Sequence, residues 1–553
     1  ELADHYPTNM GSVGGMVGVI GGLGGFTLPI MFGIAADAVG VRSSCFMLMY
    51  IVLAGVMIWT WAAAKGEREA LLQENEGLRD EMVRGGLADA KRGRKVWLTD
   101  WRPEDQEFWN TTGRAIANRN LWISMPALLL SFAVWVVWSV IVVELPKVGF
   151  QFTTSELFWL AALPGLSGAI LRLLYSFVVP IFGGRNWAVF STASLLLPTL
   201  WMSVALQNPD TNYAIFVVIA LLCGFGGGNF SSSMANISFF FPKKMQGTAL
   251  GFNAGVGNLG VALAQALVPM VIYGGALFFM GGEAQTMLEG GAEKQVWLQN
   301  AGFIWVPFIL VSTLGVWFGM NNIRHTQASF AEEATVFHRK HAWVGSWLYT
   351  GTFGSFIGFA VGFPMLLATQ FPDSHMVRYA FVGPLVGALI RPLGGWLADR
   401  MGGASLTFWN FGVMTAAMFG VLLFLPGDVY LGNVTGFYLL FLVLFLTAGI
   451  GNGSVFRMIP SIFHTLHQRW SADKDDAEQA LAKHKAETET AVALGFTASI
   501  AALGGFGIPV ALAISNTLFG NPYLAMACFG VFHLSCLFAT WWWYYRTDAE
   551  VSC

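Results

Sequence analysis

Charge is scarce in this sequence: only 11% of its 553 residues are Asp, Glu, Lys or Arg, against 55% that are hydrophobic. Soluble domains carry about 25% charged residues, so a globule surrounded by water is excluded for most of the chain. Net charge is −3, which offers no basic surface, and no nucleic-acid partner is expected. Cysteine is sparse as well. The five cysteines (Cys45, Cys223, Cys528, Cys536, Cys553) lack the close pairs that hold zinc or iron–sulfur clusters. Four of them lie in apolar runs, where packing accounts for them. Strand-type alternation is missing too, which excludes a membrane β-barrel. No metal, cofactor or catalytic residue is expected, and the chain does not read as an enzyme.

What is present is a series of apolar runs of 18 or more residues, with a mean hydropathy of +0.57. Each can cross a hydrocarbon core about 30 Å thick. The expected fold is therefore an all-α membrane protein. Residues 11–64 hold two spans, near 11–36 and 42–63, followed by a charged segment over 65–118 that reads as a cytoplasmic linker. Twelve spans follow, near 121–145, 155–181, 186–206, 213–240, 246–274, 301–320, 343–369, 377–398, 404–426, 432–463, 489–515 and 521–545. They divide into a first six-helix bundle over 119–320, an inter-bundle loop over 321–342, and a second bundle with a short tail over 343–553. Arg185, Lys243, Lys244, Arg324, Arg339, Lys340, Arg400, Arg469, Lys474, Lys483 and Lys485 fall on one side of these spans. The opposite loops are short or acidic. The positive-inside rule then puts both ends of the twelve-span unit in the cytoplasm.

Two repeats organise the chain. Gly168-Ala-Ile-Leu-Arg172 matches Gly387-Ala-Leu-Ile-Arg391, and each arginine precedes a Gly-Gly pair by eleven residues, at Gly183-Gly184 and Gly402-Gly403. The matching segments lie six spans apart, as expected for two parallel six-helix halves of the major facilitator kind. The second repeat relates Gly15–Pro29 to Gly495–Pro509 at a constant offset of 480. Residues 1–64 therefore read as the last two helices of a truncated upstream copy, and the chain as a fragment of a tandem fusion of two transporters.

Arg172 and Arg391 are the informative residues. A guanidinium at mid-membrane costs roughly 2.5–3.5 kcal/mol on insertion scales. No Asp or Glu shares either apolar stretch near the arginine. A small anion is the expected partner, held by one arginine from each half. Asn258 stands among Gly255, Gly257 and Gly260 in the fifth span. Its amide could donate to an oxyanion that reaches the bare helix face, or it could make an interhelical bond. Glycines at such spacing also let helices approach closely.

Several long stretches resemble a known family. They are Asn229-Phe-Ser-Ser-Ser-Met-Ala-Asn-Ile-Ser-Phe-Phe-Phe-Pro-Lys243, the Gly255–Gly260 segment, and Ala502-Leu-Gly504-Gly505-Phe506. These are similar to the nitrate signature motifs of the nitrate/nitrite porter (NarK-like) family of the major facilitator superfamily. The resemblance covers about 99–545, including Thr99-Asp-Trp-Arg-Pro-Glu-Asp105. It implies that Arg172 and Arg391 bind the substrate, that Asn258 and Tyr349 hydrogen-bond it, and that Phe132, Phe230 and Phe353 surround it. Ordinary packing is the alternative for each Phe. The implied substrates are nitrate and nitrite, and the implied setting is a bacterial inner membrane in nitrate assimilation or anaerobic respiration, with functional coupling to a nitrate reductase on the cytoplasmic side.

Three further residues are candidates for gating. Arg457 lies in an apolar span toward its expected cytoplasmic end, where snorkelling to the interface is the simpler account. Asp399 and Arg400 close the eighth span in the manner of a facilitator gating loop.

Coupling is read from what is lacking. Proton symporters usually carry a membrane-embedded acid or histidine that titrates. Of nine histidines only His533 lies well inside a span, where a packed, hydrogen-bonded imidazole is expected. Exchange of nitrate for nitrite by alternating access is the expected mechanism, with nitrate–proton symport as the alternative. A haem- or quinone-bearing respiratory subunit would need axial ligands on facing helices; His464 and His467 stand isolated near a helix end.

Overall fold

The computed structural model describes residues 96–551 except 177, 275–281, 290–291, 325–337 and 428–431. The two helices expected over 1–64 and nearly all of the linker before 96 lie outside the described residues.

Twelve helices long and apolar enough to cross a membrane are described. We number them α1 (Gln106–Val148), α2 (Thr154–Tyr175), α3 (Gly184–Ala205), α4 (Tyr213–Phe240), α5 (Met245–Gly274), α6 (Asn300–Gly319), α7 (Lys340–Gln370), α8 (His375–Met401), α9 (Gly403–Leu422), α10 (Val434–Trp470), α11 (Val492–Phe519) and α12 (Tyr523–Tyr545). With an even number of spans, both ends of the unit lie on one side, here called the termini side. Most boundaries agree with the hydropathy reading within a few residues. Helix α1 starts well before 119, inside the segment read as linker, because the Asp105 carboxylate accepts from the backbone amides of Glu107 and Phe108 and caps it. The helix that becomes α11 starts at Asp476, where Asp475 accepts from the Glu478 amide. Both extensions are polar, and an apolar-run criterion passes over them.

Short segments finish the two faces. On the termini side, β1 (Trp97–Leu98) pairs in parallel with Asn322–Ile323. Trp101 donates to the Phe239 carbonyl and sits edge-on to Phe240. The stretch before α1 is thereby tied to the end of α4 and to the inter-bundle loop. On the far side, a hairpin pairs Gln285–Glu289 with Ala292–Val296.

Helices α1 and α7 are the most buried, with 94% of their apolar windows inside the protein. They form the centre of their respective halves. Proline inside a helix removes a backbone donor, and α1, α2, α3, α5, α6, α7, α8, α10 and α11 all contain at least one. Helix α7 has a second irregularity, a π-turn over Thr350–Gly354. Such turns occur often at functional sites, and this one sits between Tyr349 and Ser355.

Candidate functional site

Glycine places the first arginine. A Cβ on Gly168 would stand 2.6 Å from the Trp135 indole nitrogen and 3.2 Å from the Gly227 Cα. Only glycine allows α2 and α4 to approach this closely. The approach brings the Gly227 carbonyl within 2.8 Å of Arg172 Nε, and a second carbonyl, Ala498 on α11, accepts from Nη1 at 3.3 Å. Arg172 is fully buried. Its guanidinium carbon lies 5.7 Å from the Phe132 ring centre, 4.8 Å from Trp135, 4.6 Å from Phe230 and 5.1 Å from Phe353. A desolvated cation–π contact is worth about 2 kcal/mol. The cage therefore makes burial of the cation tolerable without neutralising it. Its Nη2 has no hydrogen-bond partner.

The second arginine is held differently. Arg391 Nη2 donates to the Tyr349 hydroxyl at 3.0 Å, and its guanidinium carbon lies 5.5 Å from the Phe456 ring. Its Nη1 has no partner. Tyr349 and Phe353 stack at 5.4 Å and 12°, across the π-turn of α7. The two arginines are thus joined through α7: Arg172 to Phe353, Phe353 to Tyr349, and Tyr349 to Arg391.

Asn258 is fully buried on α5, and neither its amide nitrogen nor its carbonyl oxygen has a hydrogen-bond partner. An interhelical bond is therefore not what it makes here. A buried amide left bare costs about 1–3 kcal/mol. Phe132 and Phe230 meet edge-on at 6.0 Å, and Phe230 lies 6.4 Å from Phe353.

The signature glycines divide by role. A Cβ on Gly257 would lie 2.8 Å from Leu128, and one on Gly260 would overlap the Leu129 carbonyl, so both seat α5 on α1. Gly504 seats α11 on Gly354 of α7, and Gly505 lies against Gly165 of α2. Gly255 departs from the packing expectation. A Cβ there meets nothing within 4 Å, as at Gly247 and Gly251. This row faces open space rather than another helix.

The expected gating residues are only partly brought together. Arg457 Nε pairs with Asp399 Oδ1 at 2.6 Å, both side chains being more than half exposed. Arg400 instead lies over Trp396 at 4.0 Å. Arg457 is paired rather than simply snorkelling. The pair joins α10 to α8 within one half, so it does not by itself latch the two halves together. His533 is buried, with Nε2 2.9 Å from Ser355 Oγ. That is the packed, hydrogen-bonded imidazole expected.

Trp135, Phe456 and the carbonyls of Gly227 and Ala498 were not foreseen. Trp135 follows Phe132 by one helical turn, a spacing that could have pointed to it. The carbonyl contacts carry no sequence signal.

Comparison with known proteins fits this geometry. The Major Facilitator Superfamily family model matches residues 2–265 and 127–472. The nitrate/nitrite transporter NarU of Escherichia coli (strain K12) is 50% identical over 464 residues, covering 83% of this chain and 98% of that protein. The chain belongs to the NarK-like nitrate/nitrite porter family of the major facilitator superfamily. The probable nitrate/nitrite antiporter NarK2 of Thermus thermophilus is 38% identical across 84% of this chain and all of that one. A solved nucleoside transporter, NupG, shares the fold alone, with a TM-score of 0.50 at 11% identity over 76% of this chain and 98% of that chain. Family membership makes the chain a multi-pass secondary transporter rather than an enzyme.

Proposed function

We propose that this chain exchanges nitrate for nitrite across the membrane by alternating access, with the anion held between Arg172 and Arg391. The observation that carries this reading is a matched vacancy of hydrogen bonds. Each buried guanidinium keeps one Nη without a partner, and the buried Asn258 amide of α5 is bare on both atoms. Among the described residues, neither arginine is ion-paired to a carboxylate. Guanidinium groups are planar and bind flat oxyanions through paired donors. Nitrate and nitrite are flat, small and singly charged, and aromatic walls suit their weak hydration.

Sidedness follows from charge. The cationic loops of the termini side support a cytoplasmic location for that side and an external one for the far side. The apolar windows of α1 and α7 are 94% buried within the protein. Two cations with no anion between them disfavour closing around an empty site, which supports obligatory exchange over uniport. The family resemblance adds a cytoplasmic-side nitrate reductase as the source of the outgoing nitrite, in a bacterial inner membrane.

Proteoliposomes test the proposal. Nitrate should enter vesicles loaded with nitrite and should fail to enter nitrite-free vesicles. Robust uptake into anion-free vesicles driven by a pH gradient would instead establish proton symport.

A further inference from the structure

One buried amide outside the residues already assigned has the same character as Asn258. Asn452 of α10 is fully buried, and neither Nδ2 nor Oδ1 has a hydrogen-bond partner. Its neighbours fix the direction it faces. A Cβ on Gly451 would overlap Thr352 of α7, and one on Gly453 would overlap the Arg391 carbonyl of α8. Residue 452 is therefore level with Arg391 and flanked by α7 and α8. In a helix, residues four and seven apart share a face. Four residues on, Phe456 packs on both Arg391 and Tyr349. Seven residues back, Phe445 packs on Phe356 of α7. Asn452 thus lies on the stripe of α10 that faces the Arg391–Tyr349 pair.

We infer that Asn452 is a substrate-contacting residue that sets the preference for nitrate over nitrite. This rests on the anion site proposed above. Nitrate has three oxygens in one plane and nitrite has two. With Arg172 and Asn258 on the side of the first half, and Arg391 Nη1 on the other, the Asn452 amide supplies a donor for the third oxygen. It stands level with the arginine of its own half, one helical turn from Phe456, whose ring packs on Arg391 and Tyr349. A bare amide tuned to a group that one substrate has and the other lacks is a strong discriminator, because the wrong substrate leaves the donor unpaired.

The test is exchange in proteoliposomes with each anion in turn, alongside the melting temperature of the purified protein with and without nitrate. Asn452→Ala should raise the half-saturating nitrate concentration about tenfold or more, the worth of one hydrogen bond to a charged group. The nitrite value should move less than threefold. Asn452→Ser, which keeps a donor, should recover much of the nitrate affinity. Asn452→Asp should abolish exchange and nitrate-induced stabilisation while leaving the anion-free protein folded, because the carboxylate would occupy Arg391 Nη1. Equal weakening for both anions, or unchanged nitrate kinetics in Asn452→Ala, would overturn the inference. Wild-type exchange by Arg172→Ala would overturn the underlying anion site instead, so the two failures are distinguishable.

Discussion

The two halves of this transporter carry the same Gly-Ala-x-x-Arg motif and surround its arginine in opposite ways. Arg172 is boxed by four aromatic rings and held by two backbone carbonyls, one of them on α11 in the other half. Arg391 has one phenol and one ring. The repeat fixes where charge is placed, and the neighbours decide how firmly it is held. Arg172 reads as the anchored half of the site and Arg391 as the adjustable half. The sharpest break of that comparison is to swap each arginine for lysine. An ammonium keeps the charge but loses the planar fork and the stacking. Both variants should lose exchange by about a hundredfold or more, as expected for a buried charge-assisted contact. Only Arg172→Lys should also lower the melting temperature markedly, because only that site depends on the cage. Equal melting temperatures would erase the distinction.

A second contrast lies among the glycines. Gly504 is pressed against the Gly354 backbone, whereas Gly255 faces nothing within 4 Å. Overpacking a tight contact costs about 1–3 kcal/mol, and more where the obstacle is backbone. Gly504→Leu should therefore destabilise the protein by at least that much and stop exchange. Gly255→Ala should be tolerated and should even stabilise the helix by up to about 1 kcal/mol. Thermal unfolding in detergent separates the two. A large loss in Gly255→Ala would show that the open row is filled in another state of the transport cycle.

Much of this was legible in the sequence, for identifiable reasons. The twelve spans follow from apolar length, and the arginine pair from charges that have no acid nearby. Tyr349, Phe132, Phe230 and Phe353 came from family resemblance, because 46 phenylalanines give no individual signal. The four-ring cage was hidden because Trp135 is one of 22 tryptophans. The pairing of Asp399 with Arg457 was hidden because the two lie on different helices, and no spacing along the chain relates them. The early start of α1 and the helical extension leading into α11 were written in their capping carboxylates, Asp105 and Asp475, but a search for apolar runs does not see caps.

A gentler change sharpens the same comparison of halves. Tyr349→Phe removes the only hydrogen-bond acceptor of the Arg391 side chain among the described residues while keeping the stack on Phe353. The loss should be about 1.5–3 kcal/mol of site organisation, read as a roughly tenfold or greater rise in the half-saturating anion concentration. Folding should be little affected. An unchanged affinity would mean that the anion, not the phenol, positions Arg391.

A smaller effect is expected in the polar helical extension that leads into α11. Glu489 is buried, which by itself pushes its carboxyl upward, but the two hydrogen bonds from Arg339 and the nearby His467 ring, 3.2 Å away, more than offset burial and hold it below the usual carboxylate range. A depressed folded-state value stabilises the protein above the unfolded-state value and is lost as pH falls through the folded one. Stability should therefore decline only at acidic pH, below the ordinary carboxylate range. Arg339→Gln should move that decline to higher pH, measured by melting temperature across a pH series.

The exposed Asp399–Arg457 pair should matter least to stability. Pairs this open to water contribute about 0–1 kcal/mol, so Arg457→Gln should leave the melting temperature within a degree or two. Its effect on transport is the more telling measurement. Because the pair ties α10 to α8 inside one half, cutting it should loosen the helix that carries Phe456 rather than unlatch the halves. Exchange should slow by a few-fold with anion affinity nearly unchanged. If affinity falls as steeply as in Tyr349→Phe, Arg457 acts on the anion itself, and the second half would hold its substrate with two arginines instead of one.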